Sequence, residues 1–368
     1  MPGLEIIIIG CLVASAAAIP GTFLILRKMA MMSDAISHSV LLGIVVMFFA
    51  VKTLHSPLLI VGATICGLLT VTLTELLIAS KQLKKDAAIG LVFPLFFAVA
   101  IILISKFAGN IHLDQDAVLL GEIAFAPFNR LYISGLDLGP VSMWIMGSVL
   151  LFNMGLGKLC YKELKLCTFD PSLARSLGFT PWLIHYGLMT SVSITAVTAF
   201  DAVGTILIVA LMITPPATAY LLTQRLSRMI LYSIGIGCSS AILGYFLAII
   251  VDGSIAGAIC SVTGLWFIGA MLFSNSHGLL HKFYTKKRQK IQFSARLLTI
   301  QFYHHKGTQT EPFEYSLTNL IEHMQWNEHF ARKVLGFAIE QQFITYTNGQ
   351  YQLTDHGLEE AKTAMMIT

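Results

Sequence analysis

Residues 33 to 43 read Ser-Asp-Ala-Ile-Ser-His-Ser-Val-Leu-Leu-Gly and open an apolar run that continues to Val51. Asp34 and His38 stand four residues apart, so a helix carries both on one face. If the run spans a bilayer, that face bears two groups that lipid does not tolerate. An ionisable side chain within a membrane span points to a functional site, and a carboxylate beside a neutral imidazole suits a divalent cation. The bland alternative has Asp34 capping the helix and His38 meeting a buried carbonyl.

Composition agrees that lipid solvates most of the chain. Of 368 residues, 55% are hydrophobic and only 12% charged, where soluble domains carry roughly one-quarter charged residues. The formal net charge of +4 makes no case for a nucleic-acid partner; what matters is where the charges fall. Cys11, Cys66, Cys160, Cys167, Cys238 and Cys260 are scattered with no C-x-x-C pair, which reads as free thiols. The first run, Ile6 to Leu26, imitates an export signal, and Ile8 to Cys11 loosely resembles a lipoprotein cleavage site. Yet no basic residue precedes it, and Arg27 and Lys28 follow it directly, the flanks of a retained span.

Runs long enough to cross about 30 Å of hydrocarbon lie at Ile6 to Leu26, Ala35 to Val51, Pro57 to Ala79, Ala87 to Ser105, Leu138 to Leu156, Pro181 to Ala199, Val203 to Leu222, Met229 to Val251 and Ser254 to Phe273. Clusters of Lys and Arg follow every odd-numbered run: Arg27 and Lys28, Lys81 to Lys85, Lys158 to Lys165, Arg225 and Arg228, and Lys282 to Arg288. The other connections hold only Lys52, Lys106 and Arg130, with the acids Asp114, Asp116, Glu122, Asp137, Asp201 and Asp252. Positive residues favour the cytoplasmic side. The expectation is about nine transmembrane helices in a cytoplasmic membrane, with the N-terminus outside and the C-terminus inside. A second helix starting near Lys28 would place His38 roughly 15 Å deep and Asp34 about 6 Å shallower.

Two further stretches fit this arrangement. Between Asp201 and Thr223 the chain reads DAVGTILIVALMITPPATAYLLT, where Pro215 and Pro216 free backbone carbonyls inside a span. Asp201, Thr214 and Pro215 are candidate pathway residues, and a plain proline kink is the alternative. From Tyr161 to Pro181 an inner loop reads YKELKLCTFDPSLARSLGFTP. Asp170 can cap a short helix that Pro171 starts and Gly178 stops; an ordinary helix on the membrane surface is the alternative there.

SDAISHSVLLG, FDPSLARSLGF and VGTILIVALMITPPATA, in that order and spacing, resemble the membrane-spanning subunit of ABC-type manganese, zinc and iron uptake systems, the ABC-3 permeases. The likeness covers Ile6 to Ser274. It implies partners: a second permease subunit, identical or related, ATP-binding subunits inside, and an extracytoplasmic metal-binding protein. It makes Asp34 and His38 pathway ligands, and Asp170, Pro171, Ala174 and Gly178 part of the helix that docks on the ATPase. The divalent metal, manganese, iron or zinc, is then transported substrate; no permanently bound cofactor is implied. Residues 154 to 158 include a Gly-Leu-Gly-Lys run, but Leu159 follows it and the upstream glycine of a phosphate loop is missing, so ATP chemistry belongs to another polypeptide. A secondary transporter or channel that needs no ATPase is the competing class.

Beyond Phe273 the composition changes. The division expected is a permease domain at 1–280, a basic juxtamembrane linker at 281–290 that can meet anionic lipid, and a small α+β domain at 291–368. Glu314 to Met324 and Glu328 to Gln341 read as helices, Phe343 to Leu353 as a hairpin turning at Asn348-Gly349, and another helix follows. This order resembles the winged helix of DtxR-type metal-dependent repressors. A DNA-binding version would present Asn327, His329, Arg332 and Lys333, but Glu328 shares that surface and the domain is not clearly basic. A membrane-tethered metal-responsive regulator, a gate on transport and a module for protein contacts all stay open. His277 with His281, and His304 with His305, are weak metal candidates without an acidic or thiol partner at a diagnostic spacing. His185, inside the sixth run, reads as an interhelical hydrogen-bonder.

Overall fold

A computed structural model describes residues 2–52, 58–107, 123–133, 136–274, 278–305, 320–321, 324–347 and 350–366. The chain divides into two compact units, Met1–Ser276 and His277–Thr368. The acids at 114, 116 and 122, His277 and the Asn348-Gly349 turn lie outside the described residues.

In the first unit the apolar runs become α1 (Pro2–Leu26), α2 (Met31–Val51), α3 (Leu58–Ala79) and α4 (Lys85–Phe107). A 3-10 turn at Ala126–Phe128 then leads into an antiparallel hairpin, β1 (Arg130–Ile133) with β2 (Leu136–Pro140). After it come α5 (Val141–Leu159), α6 (Tyr161–Phe169), α7 (Pro171–Ser176), α8 (Pro181–Leu222), α9 (Leu226–Val251) and α10 (Ile255–Phe273). Lys28, Lys52, Lys81 and Asp252 close turns with φ between 53° and 57°, a conformation usually left to glycine or asparagine. Their charged side chains keep those turns out of hydrocarbon.

Among the described residues, eight helices are long and apolar enough to cross a membrane, where the sequence suggests nine runs. The difference lies in α8, 42 residues long, whose helical backbone breaks at Gly204 (φ 80°, ψ 168°). In one straight helix Thr195 and Met212 would stand about 25 Å apart. Both instead reach the same part of α1. The Asn153 amide bridges Thr195 and the Ala16 carbonyl at 2.8 and 2.9 Å, and the Met212 carbonyl packs against Gly21, only about 8 Å further along. Thus α8 folds back on itself, and its two arms are the sixth and seventh runs. A residue with φ near 80° permits this reversal, and glycine reaches it without a steric penalty.

With that reversal, both ends of α8 lie on the face that carries α6 and α7. On this α7 face fall Arg27, Lys28, Lys81, Lys84, Lys85, Lys158, Lys162, Lys165, Arg225 and Arg228. Toward the opposite face, where α1 begins, Arg130 pairs with Glu5 and Asp137, and the Glu5 contact first, then Asp137, raises the guanidinium pKa. This clamp ties the β-hairpin to α1.

The core is a contiguous apolar cluster that includes Ile9, Phe23, Met32, Ile36, Leu207 and Ile208. At one crossing the helix backbones nearly touch: a Cβ placed on Gly43 of α2 would lie 2.5 Å from the Gly62 carbonyl oxygen of α3 and 2.7 Å from Ala63 Cα. Small residues permit this approach in membrane helices. Among the described residues Thr74 Oγ1 of α3 is buried without a hydrogen-bond partner, whereas the Asn153 side chain is fully engaged. Asn153, fully buried, donates to the Ala16 carbonyl and Thr195, while its own oxygen accepts from Ser191 at 2.8 Å.

In the second unit α11 (Leu279–His305) is one helix of 27 residues. The basic stretch expected as a linker is therefore the first turns of that helix. The helix expected at 314–324 lies mostly outside the described residues. After it come α12 (Glu328–Glu340), the pair β3 (Ile344–Thr347) and β4 (Gln350–Leu353), and α13 (Asp355–Met366). Thr347 pairs with Gln350 and Ile344 with Leu353. Leu298, Phe302, Val334, Leu335, Ala338 and Ile344 form its core, and the His356 ring stacks on Phe343 at 5.5 Å.

Candidate functional site

α2 begins at Met31, after a turn through Lys28, and no side chain caps it. Asp34 is therefore not a capping residue here, and His38 lies about 10 Å along the helix from its start, not the 15 Å expected from a helix beginning at Lys28. His38 Nε2 is 3.5 Å from Asp34 Oδ1, and the two side chains keep 33% and 30% of their surface exposed. Among the described residues no carbonyl meets the His38 ring. The ring instead stacks on Phe93 of α4 (centroids 5.7 Å apart, planes 29° apart) and meets the edge of Phe97 at 6.1 Å. These aromatics fix the imidazole beside the carboxylate and leave its nitrogens to face Asp34 or an ion.

The residues around Asp34 are packed: Ser33, Ala35, Ile36 and Ser37 are buried. The Ser37 hydroxyl returns to the Ser33 carbonyl at 2.9 Å, and the Ser33 hydroxyl donates to the Met212 sulfur at 3.0 Å. Through Met212 the second arm of α8 touches the residue before Asp34. Pro215 and Pro216 lack the N–H groups that would reach the carbonyls of Leu211 and Met212. The effect of the proline pair is thus felt one turn upstream, at the level of the Asp34 motif. Pro215 itself packs against Gly237 of α9, and Thr214 gives its carbonyl to the Thr218 hydroxyl at 2.8 Å. Asp201 is exposed near the fold-back, about 12 Å of helix from Met212 to Gly204, so it is not brought to Asp34 and His38.

Phe93, Phe97 and Met212 have no polar signature in the sequence. The spacing of Phe93 and Phe97, four apart around Pro94, is the signal that marks them on one face of α4. Among the described residues no three His, Cys, Asp or Glu side chains gather as a metal cluster. Asp34 and His38 supply two donors and leave room for others.

A second polar group lies on the α7 face. Arg27, at the end of α1, donates through Nε to the Thr168 hydroxyl of α6 at 3.1 Å, and its Nη1 is 3.0 Å from His185 Nδ1. His185 Nε2 is 2.6 Å from Glu75 Oε1 of α3. His185 is the interhelical partner that its position in an apolar run suggests. Thr168 stands two residues before Asp170, whose carboxylate accepts from the N–H groups of Ser172 and Leu173 at 3.1 and 2.9 Å. Pro171 occupies the first turn of α7, Ala174 is buried, and Gly178 ends it with φ 86°. Around this capped helix Phe169, Leu173 and Leu177 are exposed.

In the second unit Asn327 caps α12 by accepting from the His329 N–H at 3.2 Å, and Arg332 pairs with Glu328 at 2.7 Å. Of the four side chains considered for DNA, those two already have partners, and His329 and Lys333 stand exposed.

Comparison with known proteins adds the following. A profile of the ABC 3 transport family matches residues 4–274. The zinc transport system membrane protein TroD of Treponema pallidum is 43% identical over 366 residues, 99% of each chain. The manganese transport system membrane protein MntD of Bacillus subtilis is 47% identical over 277 residues, 75% of this chain and 94% of its own. The solved structure of PsaBC from Streptococcus pneumoniae in complex with Fab superposes with a TM-score of 0.63 at 30% identity, covering 77% of this chain and 94% of that one. The likeness to TroD alone among these three runs through the second unit.

Proposed function

This chain belongs to the ABC 3 transport family, and on that premise we propose that it carries a divalent first-row metal ion across the cytoplasmic membrane as the permease of an ATP-driven importer. The observation that carries the site assignment is the Asp34–His38 pair, held on one face of a spanning helix by Phe93 and Phe97. A carboxylate oxygen suits a hard ion such as manganese and an imidazole nitrogen a borderline one such as zinc, the two ions that these relatives' names mention. The remaining coordination positions fall to water, to backbone oxygens near Met212, or to a second permease subunit across the open side of the pair.

The α7 face is read as cytoplasmic because the Lys and Arg residues gather there. On it α7 serves as the seat of an ATP-binding subunit: its cap and its glycine stop make a small rigid element, and its exposed leucines offer a docking surface. The opposite face receives the ion from an extracytoplasmic binding protein. ATP-driven closure of the subunits inside then moves α7, and the Thr168–Arg27–His185–Glu75 chain ties that motion to α1 and α3. The second unit, shared with TroD, is read as regulatory.

The test is metal accumulation by elemental mass spectrometry in uptake-deficient bacteria that carry the chain with its ATP-binding subunit and binding protein. Asp34→Ala and His38→Ala should each abolish the rise of one metal while the protein stays in the membrane. Wild-type accumulation in both variants would return Asp34 and His38 to a structural role.

A further inference from the structure

Two adjoining cavities of about 610 and 460 Å³ open on the α7 face, where α8, α9 and α10 leave their apolar stretches. Gln224, Arg225 and Arg228 line both, and Lys165 of α6 lines the second. Among the described residues neither cavity has an Asp or Glu in its wall. Among the described residues the side chains of Lys165, Arg225 and Arg228 make no hydrogen bond or ion pair. Three cations thus converge on a hollow whose described wall carries no counter-charge.

The backbone adds to the field. Arg225 precedes the 26-residue helix α9 and provides no side-chain cap. The first helical hydrogen bond there runs from the Met229 N–H to the Arg225 carbonyl, so the N–H groups of Leu226 to Arg228 have no partner within the helix. They form the positive end of its dipole. The hydroxyls of Tyr161 and Ser227, 2.8 Å apart, add neutral donors on the same wall.

Apart from Thr223 and Ser274, the rest of the wall is apolar, formed by Leu222, Leu226, Phe169 and Phe273. Phe273 is 74% exposed and Phe169 61%. A free phosphate has no use for these rings, whereas an acyl chain leaving a headgroup needs such a surface. We propose that this notch binds the phosphodiester of an anionic phospholipid from the leaflet on the α7 face, with Arg225 and Arg228 on the phosphate, Lys165 opposite, and Phe273 and Phe169 against the first carbons of the chains. The inference is independent of which ion is carried.

Native mass spectrometry of the full-length chain in detergent, titrated with phosphatidylglycerol or phosphatidylcholine, tests it. Wild type should retain phosphatidylglycerol preferentially, and the Arg225→Gln/Arg228→Gln double variant should bind it roughly 30-fold more weakly, as two basic side chains at a membrane surface imply, with phosphatidylcholine binding unchanged. Lys165→Gln, on the other wall, should give a smaller loss, which keeps the test meaningful if the double variant folds poorly. Equal retention of phosphatidylglycerol by well-folded wild type and both variants would overturn the proposal. So would displacement of the lipid by inorganic phosphate at equal concentration, which would make the site a free-anion site. Normal lipid binding combined with loss of the ATP-binding subunit in the double variant would mark the notch as a protein seat and also overturn it.

Discussion

The guanidinium of Arg27 points at Nδ1 of His185, 3.0 Å away, while the other nitrogen of that ring faces the Glu75 carboxylate. Arginine can only donate, so Nδ1 accepts and Nε2 carries the proton toward Glu75. The neighbours on both sides thus give the two ring nitrogens different roles. The ring joins α1, α3 and the first arm of α8.

Replacing His185 by Leu removes both contacts at once and leaves a half-buried guanidinium and a carboxylate without their partner. A loss of about 1–3 kcal/mol is expected, read as a lower unfolding temperature of the purified chain. His185→Gln, which can accept at one atom and donate at the other, should recover most of it. Equal destabilisation by Leu and Gln would show that the ring is held by packing alone.

Asn153 joins three helices through its side-chain amide. Asn153→Ala should cost about 1–2 kcal/mol, the range for hydrogen bonds between membrane helices. Thr195→Val, which removes one of those bonds, should cost less. A thermal scan of the two variants beside wild type checks the order.

The short helix α7 depends on its two ends. Asp170→Ala removes a cap worth about 1 kcal/mol, and Gly178→Ala forces a Cβ into a left-handed turn at about 1–2 kcal/mol. Reconstituted with the ATP-binding subunit, both variants should transport less metal per ATP hydrolysed, while Asp170→Ser keeps the wild-type ratio. An unchanged ratio in Asp170→Ala would remove α7 from the coupling route.

Phe93→Ala takes away the ring on which His38 stacks, and Phe93→Tyr keeps it. Uptake at limiting metal should fall several-fold in the first and stay near wild type in the second. Elemental mass spectrometry on cells with matched protein levels gives the comparison.

Burial pushes the Cys167 thiol above its ordinary pKa, with Arg27 pulling it partly back. A raised pKa means less thiolate at neutral pH, so alkylation of Cys167 in the folded chain should be slow at pH 7 and climb as pH rises. Arg27→Gln removes the opposing charge and should slow it further. Mass spectrometry after timed alkylation reads both effects.

Much of the architecture is legible in the sequence because hydrocarbon demands long apolar runs and water demands charged turns. Each of the nine runs gives a helix, the fifth only from Val141 because Leu138 to Pro140 belong to β2, and the Asp170, Pro171 and Gly178 signals mark α7 because each acts within four residues of itself. What the sequence hides is long-range. Nothing in DAVG announces a fold-back so tight that two spans read as one helix, since a single φ at Gly204 accomplishes it. The start of α2 is equally hidden, because Lys28 looks helical in composition and is left-handed in fact. Nothing in the sequence singles out Phe93 or Met212 from the other apolar residues of their runs until α4 and α8 are placed beside α2. Arg27 reads as a topology signal, and only the fold reveals that it is engaged with His185 and Thr168.

The contact between Gly43 and Gly62 sets what α2 is able to do. Two helices whose main chains meet at Gly43 and Gly62, with the Met47 side chain already seated over Gly62, interlock like teeth, and a slide of even one residue would drive a further side chain into the contact. The span carrying Asp34 and His38 therefore cannot piston along α3; the pair has to tilt or swivel as one plank. Its softer edges are the thioether of Met212 and the rings of Phe93 and Phe97, and an opening to either side of the membrane has to part the molecule along those seams.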